Sequence, residues 1–371
     1  MKKIVFLTWT RADYWKIKSL MKIVENNDNF ELFVFVTWMH LLEKYWYTVE
    51  EIINDWYKNI YSYMNQYWWE SSSVILSNTI NWFSQYTKLI KPNLIVIHWD
   101  RLEALAGAIV WVYENILIAH IEWWESSWSV DESVRHSISK LSHSHFVSTN
   151  SAIQKLQQMR EKNIYNIWSP DYDFLLLNNL WNINNIKSKY RIDFKDYWIF
   201  IFHTVTTEEK KFDEYTKIVF EWLLKSEKEF ILIYPNNDLW SDEIIKYFNK
   251  YIDNKLLSNR FRIFRSIPFE DFLVLLKNAK CIVWNSSAWV RQAPAIWIPT
   301  INIWNRQNWR NSHESIFDID YNSIEIEWLI RKIWDSTKKF KPDLKFWDWT
   351  ADKKFIQILN DEEFWNVSLQ K

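Results

Sequence analysis

The sequence predicts an α/β protein made of two Rossmann-like domains, each built around a parallel sheet. Short apolar runs alternate with longer amphipathic stretches, and this rhythm restarts after SPDYD at residues 169–173. Such alternation is typical of parallel sheets covered by helices on both faces. A chain of 371 residues is long enough for two cores. We expect an N-terminal domain over 1–168 and a C-terminal domain over 169–350. A last helix and tail, 351–371, can pack back on the N-terminal domain.

Five buried strands, separated by helices, predict the first domain. The strands are KIVFLT, ELFVFV, LIVIH, ILIAHI and HFVST, at residues 3–8, 31–36, 94–98, 116–121 and 145–149. Helices are expected near residues 13–26, 74–91, 103–114, 131–142 and 150–160.

The second domain repeats the pattern. Its predicted strands are WIFIFH, FILIYP, FRIF, CIVW and TINIW, at residues 198–203, 230–235, 261–264, 281–284 and 300–304. Helices are expected near residues 208–226, 241–251, 269–278, 287–295 and 324–337, with a last one at 351–360. Ligands of such sheets bind beyond the carboxyl ends of the strands, so polar residues just after strands are the candidates for function.

Composition excludes several classes of protein. The net charge of −1 gives no electrostatic case for binding nucleic acid or an anionic membrane. No apolar run approaches the ~18 residues of a spanning helix. A single cysteine, Cys281, excludes a disulfide framework and a cysteine metal cluster, and with no signal pattern at the start it favours the cytoplasm. No metal is expected, because metal-ligand spacing is absent among His40, His120, His136, His143 and His145.

Tryptophan stands in this chain where glycine is expected. There are 28 Trp and one Gly, whereas average usage of about 7% would give roughly 26 Gly. The Trp residues follow apolar runs, at turns where Gly supplies a positive φ or lets the backbone approach a ligand. We interpret the chain as a natural sequence in which nearly every Gly has been exchanged for Trp. Trp365 looks original, and Gly107 lies in an apparent helix where Ala would be unremarkable.

The Trp residues are expected to impair both folding and function. A non-Gly residue at a strained positive-φ position costs ~1–3 kcal/mol, so about eight such sites cost on the order of 8–24 kcal/mol. Typical stability is only ~5–15 kcal/mol. Six of these Trp residues flank the candidate site and would fill its space: Trp9, Trp99, Trp123, Trp124, Trp284 and Trp289.

Polar residues at the first strand ends are the leading candidates in the N-terminal half. Arg11 lies at the start of the helix after KIVFLT, where a helix N-terminus and an arginine suit phosphate; an ordinary surface arginine is the alternative. Asp100 and Arg101 follow LIVIH, and Glu122 ends the next strand. Asp131 and Arg135 begin the helix after it.

The three carboxylates, Asp100, Glu122 and Asp131, can converge, and clustered carboxylates suit proton abstraction and donation. Helix capping is the alternative for Asp100 and Asp131.

In the C-terminal half, His203 follows WIFIF, where it can face a diphosphate leaving group or serve a structural role. Ser286 and Ser287 follow CIVW at a helix start that suits phosphate.

With Gly written at the Trp positions, a series of ordered motifs resembles the hydrolysing UDP-N-acetylglucosamine 2-epimerases, especially the branch serving sialic and legionaminic acid synthesis. The resemblance covers essentially the whole chain. The motifs are TGTRADYGK (8–16), HGDR (98–101), HIEGGE (120–125), SGSVDESVRHSISKLSH (127–143), GSPDYD (168–173), YPNNDLGSDE (234–243), GNSSAGVRQ (284–292) and GNRQNGR (304–310).

The resemblance implies a two-domain fold of the glycosyltransferase-B type, with the nucleotide sugar in an interdomain cleft. It implies elimination of UDP to a glycal, then hydration to a ManNAc-type sugar. No metal or other cofactor is implied, and a homodimer is compatible with it.

The resemblance also implies residue roles. Asp100, Glu122 and Asp131 match acid/base carboxylates, His203 matches the histidine near the diphosphate, and Arg135 matches an arginine lining the site. The matches to UDP contacts are Arg11, Arg101, Asn236, Ser286, Ser287 and Arg306. Gln292 stands where the family usually has a Glu that holds the ribose, which removes a charge-assisted bond.

Three alternatives stay open: an epimerase for a UDP-2,4-diacetamido-6-deoxy sugar, a glycosyltransferase of the same fold, and a non-enzymatic carbohydrate binder that uses exposed Trp.

Overall fold

The structure is a computed structural model. It describes residues 1–42, 47–67, 70–121, 130–175, 182–203, 212–235, 241–252, 259–285, 289–303, 313–319, 328–329, 332–333, 340–343, 348 and 350–369. The chain divides into two compact units, Met1–Leu176 with Lys345–Lys371, and Leu177–Leu344.

The first unit contains a seven-stranded parallel sheet, which confirms the predicted α/β class. Its strands are β1 (Lys2–Thr8), β2 (Phe30–Thr37), β3 (Ile60–Tyr63), β4 (Leu94–His98), β5 (Leu117–Ile121), β6 (Ser144–Val147) and β7 (Ile164–Asn166). Their spatial order is β3-β2-β1-β4-β5-β6-β7. β3 and β7 were not predicted because they are short edge strands, only partly buried, without a continuous apolar run.

Helices cover the sheet of the first unit. They are α1 (Arg11–Glu25), α2 (Val49–Asn54), α3 (Ser72–Ile90), α4 (Leu102–Glu114), α5 (Val130–Leu141), α6 (Asn150–Gln158) and α7 (Tyr172–Leu175), with a 3-10 helix at Trp38–Leu41. Two helices near the end of the chain, Ala351–Asn360 and Glu362–Trp365, belong to the same unit. The ring of Phe355 lies 6.3 Å from that of Phe6 and 5.0 Å from that of Phe146, so the first of these helices packs on the sheet.

The second unit contains a six-stranded parallel sheet. Its strands are β8 (Trp198–Ile201), β9 (Phe230–Ile233), β10 (Phe261–Phe264), β11 (Cys281–Trp284), β12 (Thr300–Ile303) and β13 (Ile316–Ile319), in the order β10-β9-β8-β11-β12-β13. Its helices are α8 (Ile183–Lys189), α9 (Phe212–Lys225), α10 (Ser241–Ile252), α11 (Phe269–Lys277) and α12 (Trp289–Ala295). Most of the helix predicted near 324–337 lies outside the described residues.

Both sheets reverse their strand order at one point. The reversal falls between β1 and β4 in the first unit and between β8 and β11 in the second. At such a point the connections leave in opposite directions, which opens a crevice at the carboxyl ends of the two strands. The residues that follow these four strands are therefore placed where a ligand binds.

Five tryptophans in the described residues adopt the left-handed backbone conformation that favours glycine. Their φ angles lie between 53° and 68°. They are Trp38, Trp56, Trp99, Trp168 and Trp297.

Gly107 is tightly enclosed within α4. A Cβ atom there would lie 3.0 Å from Cγ2 of Ile97 and 3.1 Å from Cδ2 of Leu7. An Ala at this position would require the side chains of Ile97 and Leu7 to shift by a few tenths of an ångström, because α4 packs closely on β4 and β1.

Candidate functional site

The turn between β1 and α1 is held by the carboxylate of Asp13. Thr10 caps α1, accepting a hydrogen bond from the Asp13 N–H at 3.2 Å. The Asp13 carboxylate accepts from the Trp9 N–H at 3.0 Å and from the Thr8 hydroxyl. The predicted Arg11 begins α1, and its guanidinium lies 4.6 Å from the Trp15 ring. This end of the sheet therefore presents a capped helix start and an arginine.

Two buried histidines extend the Asp13 cluster. His40 Nε2 lies 3.1 Å from the Thr8 hydroxyl, and His98 Nδ1 lies 3.8 Å from Asp13 Oδ1. Burial, and next the nearby positive charge of Arg11, lowers the pKa of His40 to about 3, so its imidazole is neutral near neutral pH. Sequence reasoning missed this cluster, although His98 ends a predicted strand.

Asp100 forms a buried ion pair with Arg135. Arg135 donates to Asp100 Oδ2 from Nε at 3.0 Å and from Nη2 at 2.5 Å, and the two residues are only 5% and 3% exposed. The N-cap of α4 is Arg101, without a side-chain capping bond. The carboxylate of Asp100 thus binds an arginine on α5. The Arg101 guanidinium lies 5.3 Å from the Trp38 ring.

The other two predicted carboxylates are known only from their places in the chain. Glu122 lies outside the described residues, directly after β5, which ends at Ile121 next to β4. Asp131 belongs to the first turn of α5, one turn before Arg135, but its side chain is outside the described part.

Glu103 is a further buried carboxyl group near this strand end, and sequence reasoning missed it. It is 1% exposed, and Asn65 Nδ2 donates to its Oε1 at 3.2 Å. Burial raises the pKa of Glu103 to about 7, opposed in part by the charge of Arg101. A carboxyl group with such a pKa can exchange protons near neutral pH.

The reversal point of the second sheet brings His203 and Asn285 together. The His203 N–H donates to Asn285 Oδ1 at 2.8 Å, and Asn285 Nδ2 donates to the His203 carbonyl at 2.7 Å. Asn285 is fully buried and His203 is half-buried. A single carboxamide therefore links the residues that follow β8 and β11, fixing the backbone of the predicted histidine. Sequence reasoning placed Asn285 in a motif but gave it no role.

The remaining predicted residues are placed as follows. Gln292 lies on α12 and is 3% exposed. Outside the described residues lie Asn236, Ser286, Ser287 and Arg306. Among the helices that the structure describes, none is long and apolar enough to cross a membrane.

The two parallel sheets, with polar residues at both reversal points, define a two-domain Rossmann-like protein of the glycosyltransferase-B type. The fold is similar to a crystal structure of UDP-GlcNAc 2-epimerase from Neisseria meningitidis bound to UDP-GlcNAc. The TM-score is 0.79 at 14% identity, covering 96% of this chain and 99% of that one. A second similar structure, from Methanocaldococcus jannaschii in complex with UDP-GlcNAc and UDP, gives a TM-score of 0.76 at 18% identity over 97% and 99% of the two chains.

The family model for UDP-N-acetylglucosamine 2-epimerase matches residues 22–360, so the chain belongs to this family. It is 40% identical to a UDP-N-acetylglucosamine 2-epimerase of Neisseria meningitidis serogroup B, over 100% of this chain and 98% of the relative. It is also 29% identical, over 87% of each chain, to a hydrolysing UDP-N,N'-diacetylbacillosamine 2-epimerase of Legionella pneumophila.

Proposed function

We propose that the protein is a hydrolysing UDP-N-acetylglucosamine 2-epimerase, with Trp occupying turns that natural relatives build with Gly. The observation that carries the proposal is the buried Asp100–Arg135 pair directly after β4, at the reversal point of the sheet. Family membership supports the nucleotide-sugar substrate, and the Legionella relative is named as hydrolysing.

The proposed reaction begins with proton abstraction at C2 of the sugar. The C1–O bond to UDP then breaks, a glycal forms, and UDP leaves. Water next adds across the double bond, its hydroxyl going to C1 and a proton to the opposite face of C2. The sum is UDP-GlcNAc plus water giving UDP and ManNAc.

In this reaction Asp100, Glu122 and Asp131 are the acid/base groups. A base must present its oxygen to the substrate in a fixed direction. The two donors of Arg135 on one oxygen of Asp100 supply such a constraint. His203, held by Asn285, is the proposed donor to the departing diphosphate.

The UDP moiety is proposed to bind at strand ends of both sheets. The capped start of α1 offers Arg11 and backbone N–H groups to a phosphate. Arg101 follows the neighbouring strand, β4. The other proposed contacts are Asn236, Ser286, Ser287, Gln292 and Arg306. We propose that no metal or other cofactor takes part.

UDP-GlcNAc is the preferred substrate of the proposal. The full-length Neisseria relative, at 40% identity, carries that substrate in its name, whereas the relative named for a diacetamido sugar is 29% identical. A UDP-2,4-diacetamido-6-deoxy sugar is the second candidate, and a direct comparison of turnover separates the two.

Three observations support the exchange of Gly for Trp. Five tryptophans have a positive φ. Three buried indole N–H groups, those of Trp38, Trp111 and Trp222, have no hydrogen-bond partner within the described residues, and a buried unsatisfied donor costs roughly 1–3 kcal/mol. The ring of Trp99 lies 4.5 Å from the Lys16 ammonium and 5.9 Å from the Arg135 guanidinium, beside the candidate base. We propose that the chain as written is inactive or badly impaired.

The test compares the chain with a full-length version carrying Gly at the proposed exchange sites. Both are supplied with UDP-GlcNAc, with and without a chelator, and without any acceptor. Free UDP and ManNAc from the Gly-bearing chain alone support the proposal. UDP-ManNAc as product points to a non-hydrolysing epimerase, and a need for an acceptor points to a glycosyltransferase. Glycan binding that is observed with the Trp-rich chain and lost in the Gly-bearing chain points to a carbohydrate binder.

A further inference from the structure

His120 lies in β5, fully buried, between β4 and β6. Its register partners are Ile97 on β4 and His145 on β6. Sequence reasoning treated it as a core or surface histidine.

One ring nitrogen of His120 contacts the turn that carries Asp100. His120 Nε2 lies 2.7 Å from the carbonyl oxygen of Trp99. A carbonyl only accepts, so Nε2 carries the hydrogen and donates it. The Trp99 N–H in turn donates to the carbonyl of Ile121 at 3.2 Å. The residue before Asp100 is therefore fastened to β5 through both its N–H and its carbonyl.

The opposite edge of the same ring faces the helix that carries Arg135. His120 Nδ1 lies 3.4 Å from the hydroxyl of Ser139, and Ser139 donates to the carbonyl of Arg135 at 2.9 Å. Ser139 lies one helical turn after Arg135 on α5, and both are buried. The imidazole thus stands between the Asp100 turn and the helix whose arginine binds Asp100.

The environment favours an uncharged ring. Burial comes first, with the facing His145 ring next; together they lower the pKa of His120 well below its usual value. A neutral imidazole with its hydrogen on Nε2 suits the Trp99 carbonyl. Nδ1 then carries no hydrogen and lies against the Ser139 oxygen, whose own hydrogen goes to the Arg135 carbonyl.

We infer that His120 is a positioning residue, which holds the Asp100 turn on β5 through the Trp99 carbonyl and packs against Ser139 of α5, and so sets the geometry of the Asp100–Arg135 pair. The bond runs to a backbone carbonyl, so it is independent of the side chain at position 99. The expected effect on turnover rests on the proposed function, whereas the hydrogen bond from His120 to the Trp99 carbonyl does not.

The test uses two conservative variants of His120. In His120→Gln the amide nitrogen reaches the place of Nε2, so the bond to the Trp99 carbonyl is kept. In His120→Asn the shorter amide reaches only the place of Nδ1, and that bond is lost. His145→Asn is the matched control, because His145 is equally buried on the neighbouring strand but binds Glu161 at 3.3 Å.

Kinetics are measured in whichever full-length chain releases UDP, the chain as written or the Gly-bearing one. We expect His120→Asn to lower kcat roughly 10- to 100-fold, as misplacement of a catalytic group does, with KM changed less. His120→Gln and His145→Asn should stay near the parent value. A kcat loss shared equally by His120→Asn and His145→Asn, or by the Asn and Gln variants, would overturn the inference.

Hydrogen exchange tests the hydrogen bond between His120 and the backbone of residue 99, and it does not require the protein to be active. In the chain that folds, as written or Gly-bearing, the backbone amide of residue 99 should exchange about tenfold faster in His120→Asn than in His145→Asn, because a local anchor has been removed. Equal exchange rates would overturn the inference. If neither chain releases UDP, the proposed function fails, and the exchange experiment alone decides the role of His120.

Discussion

Trp56 gives the sharpest test of the idea that Trp stands where Gly belongs. It follows the C-cap of α2, Asp55, and has a φ of 65° with its N–H donating to the Ile53 carbonyl at 3.0 Å. Glycine is the residue favoured at this left-handed position after a helix. The side chain is 87% exposed, so its removal sacrifices little packing.

The expected effect of Trp56→Gly is a gain in stability. A side chain in the left-handed region costs roughly 1–2 kcal/mol, and the added freedom of Gly in the unfolded chain offsets about 0.4–1 kcal/mol. The net gain is about 1 kcal/mol, which corresponds to a rise in Tm of about 2–4 °C for a unit of this size. The two chains to compare carry Gly at the other exchange sites except position 82, where Trp is kept, and differ only at position 56, with Tm read by calorimetry.

Trp82→Gly is the matched control. Trp82 lies within α3, partly exposed, with its ring 4.7 Å from that of Tyr63. Gly in a helix interior costs about 0.5–1 kcal/mol relative to Ala, so this variant should lose stability. A fall in Tm for Trp56→Gly as large as that for Trp82→Gly would refute the reasoning from backbone strain.

Three further predictions concern the site. In the Gly-bearing chain, Asp100→Asn and Glu122→Gln should each lower kcat by at least ~10²-fold, as expected for acid/base groups; near-normal turnover in steady-state assays would remove them from the mechanism. Ser286→Ala with Ser287→Ala should chiefly weaken UDP binding by calorimetry, and an unchanged Kd would place the nucleotide elsewhere. Glu103→Gln should stabilise the protein at pH 8 by up to about 3 kcal/mol but have little effect at pH 4, measured by urea unfolding. The folded-state pKa of Glu103 is about 7 against a usual 4.5, so stability is lost as pH rises between these values; an equal effect at both pH values would contradict this.

The central strands were the most predictable part of the fold. LIVIH and CIVW match β4 and β11 at both ends, because an uninterrupted apolar run marks a buried strand. The edge strand β13 was missed because its side chains are only partly buried and it has no such run. For the candidate site, the general rule that ligands bind at the carboxyl ends of strands was enough to select Asp100 and His203 from the sequence.

The supporting residues were not predictable from local pattern. Asn285 binds the backbone of a residue 82 positions away, a relation that only the order of β8 and β11 creates. Glu103 lies in the first turn of α4, where an acidic residue is ordinarily favourable to the helix dipole. The burial of Glu103 comes from tertiary packing, which the spacing of residues in the sequence does not predict.

Reaction in D2O tests the proposed chemistry most directly. The Gly-bearing chain is supplied with UDP-GlcNAc, and the released sugar is followed by proton NMR. Elimination followed by hydration takes the new C2 hydrogen from solvent, so the account predicts free UDP and ManNAc carrying deuterium at C2. ManNAc that keeps its original hydrogen at C2, or a product still joined to UDP, would contradict it.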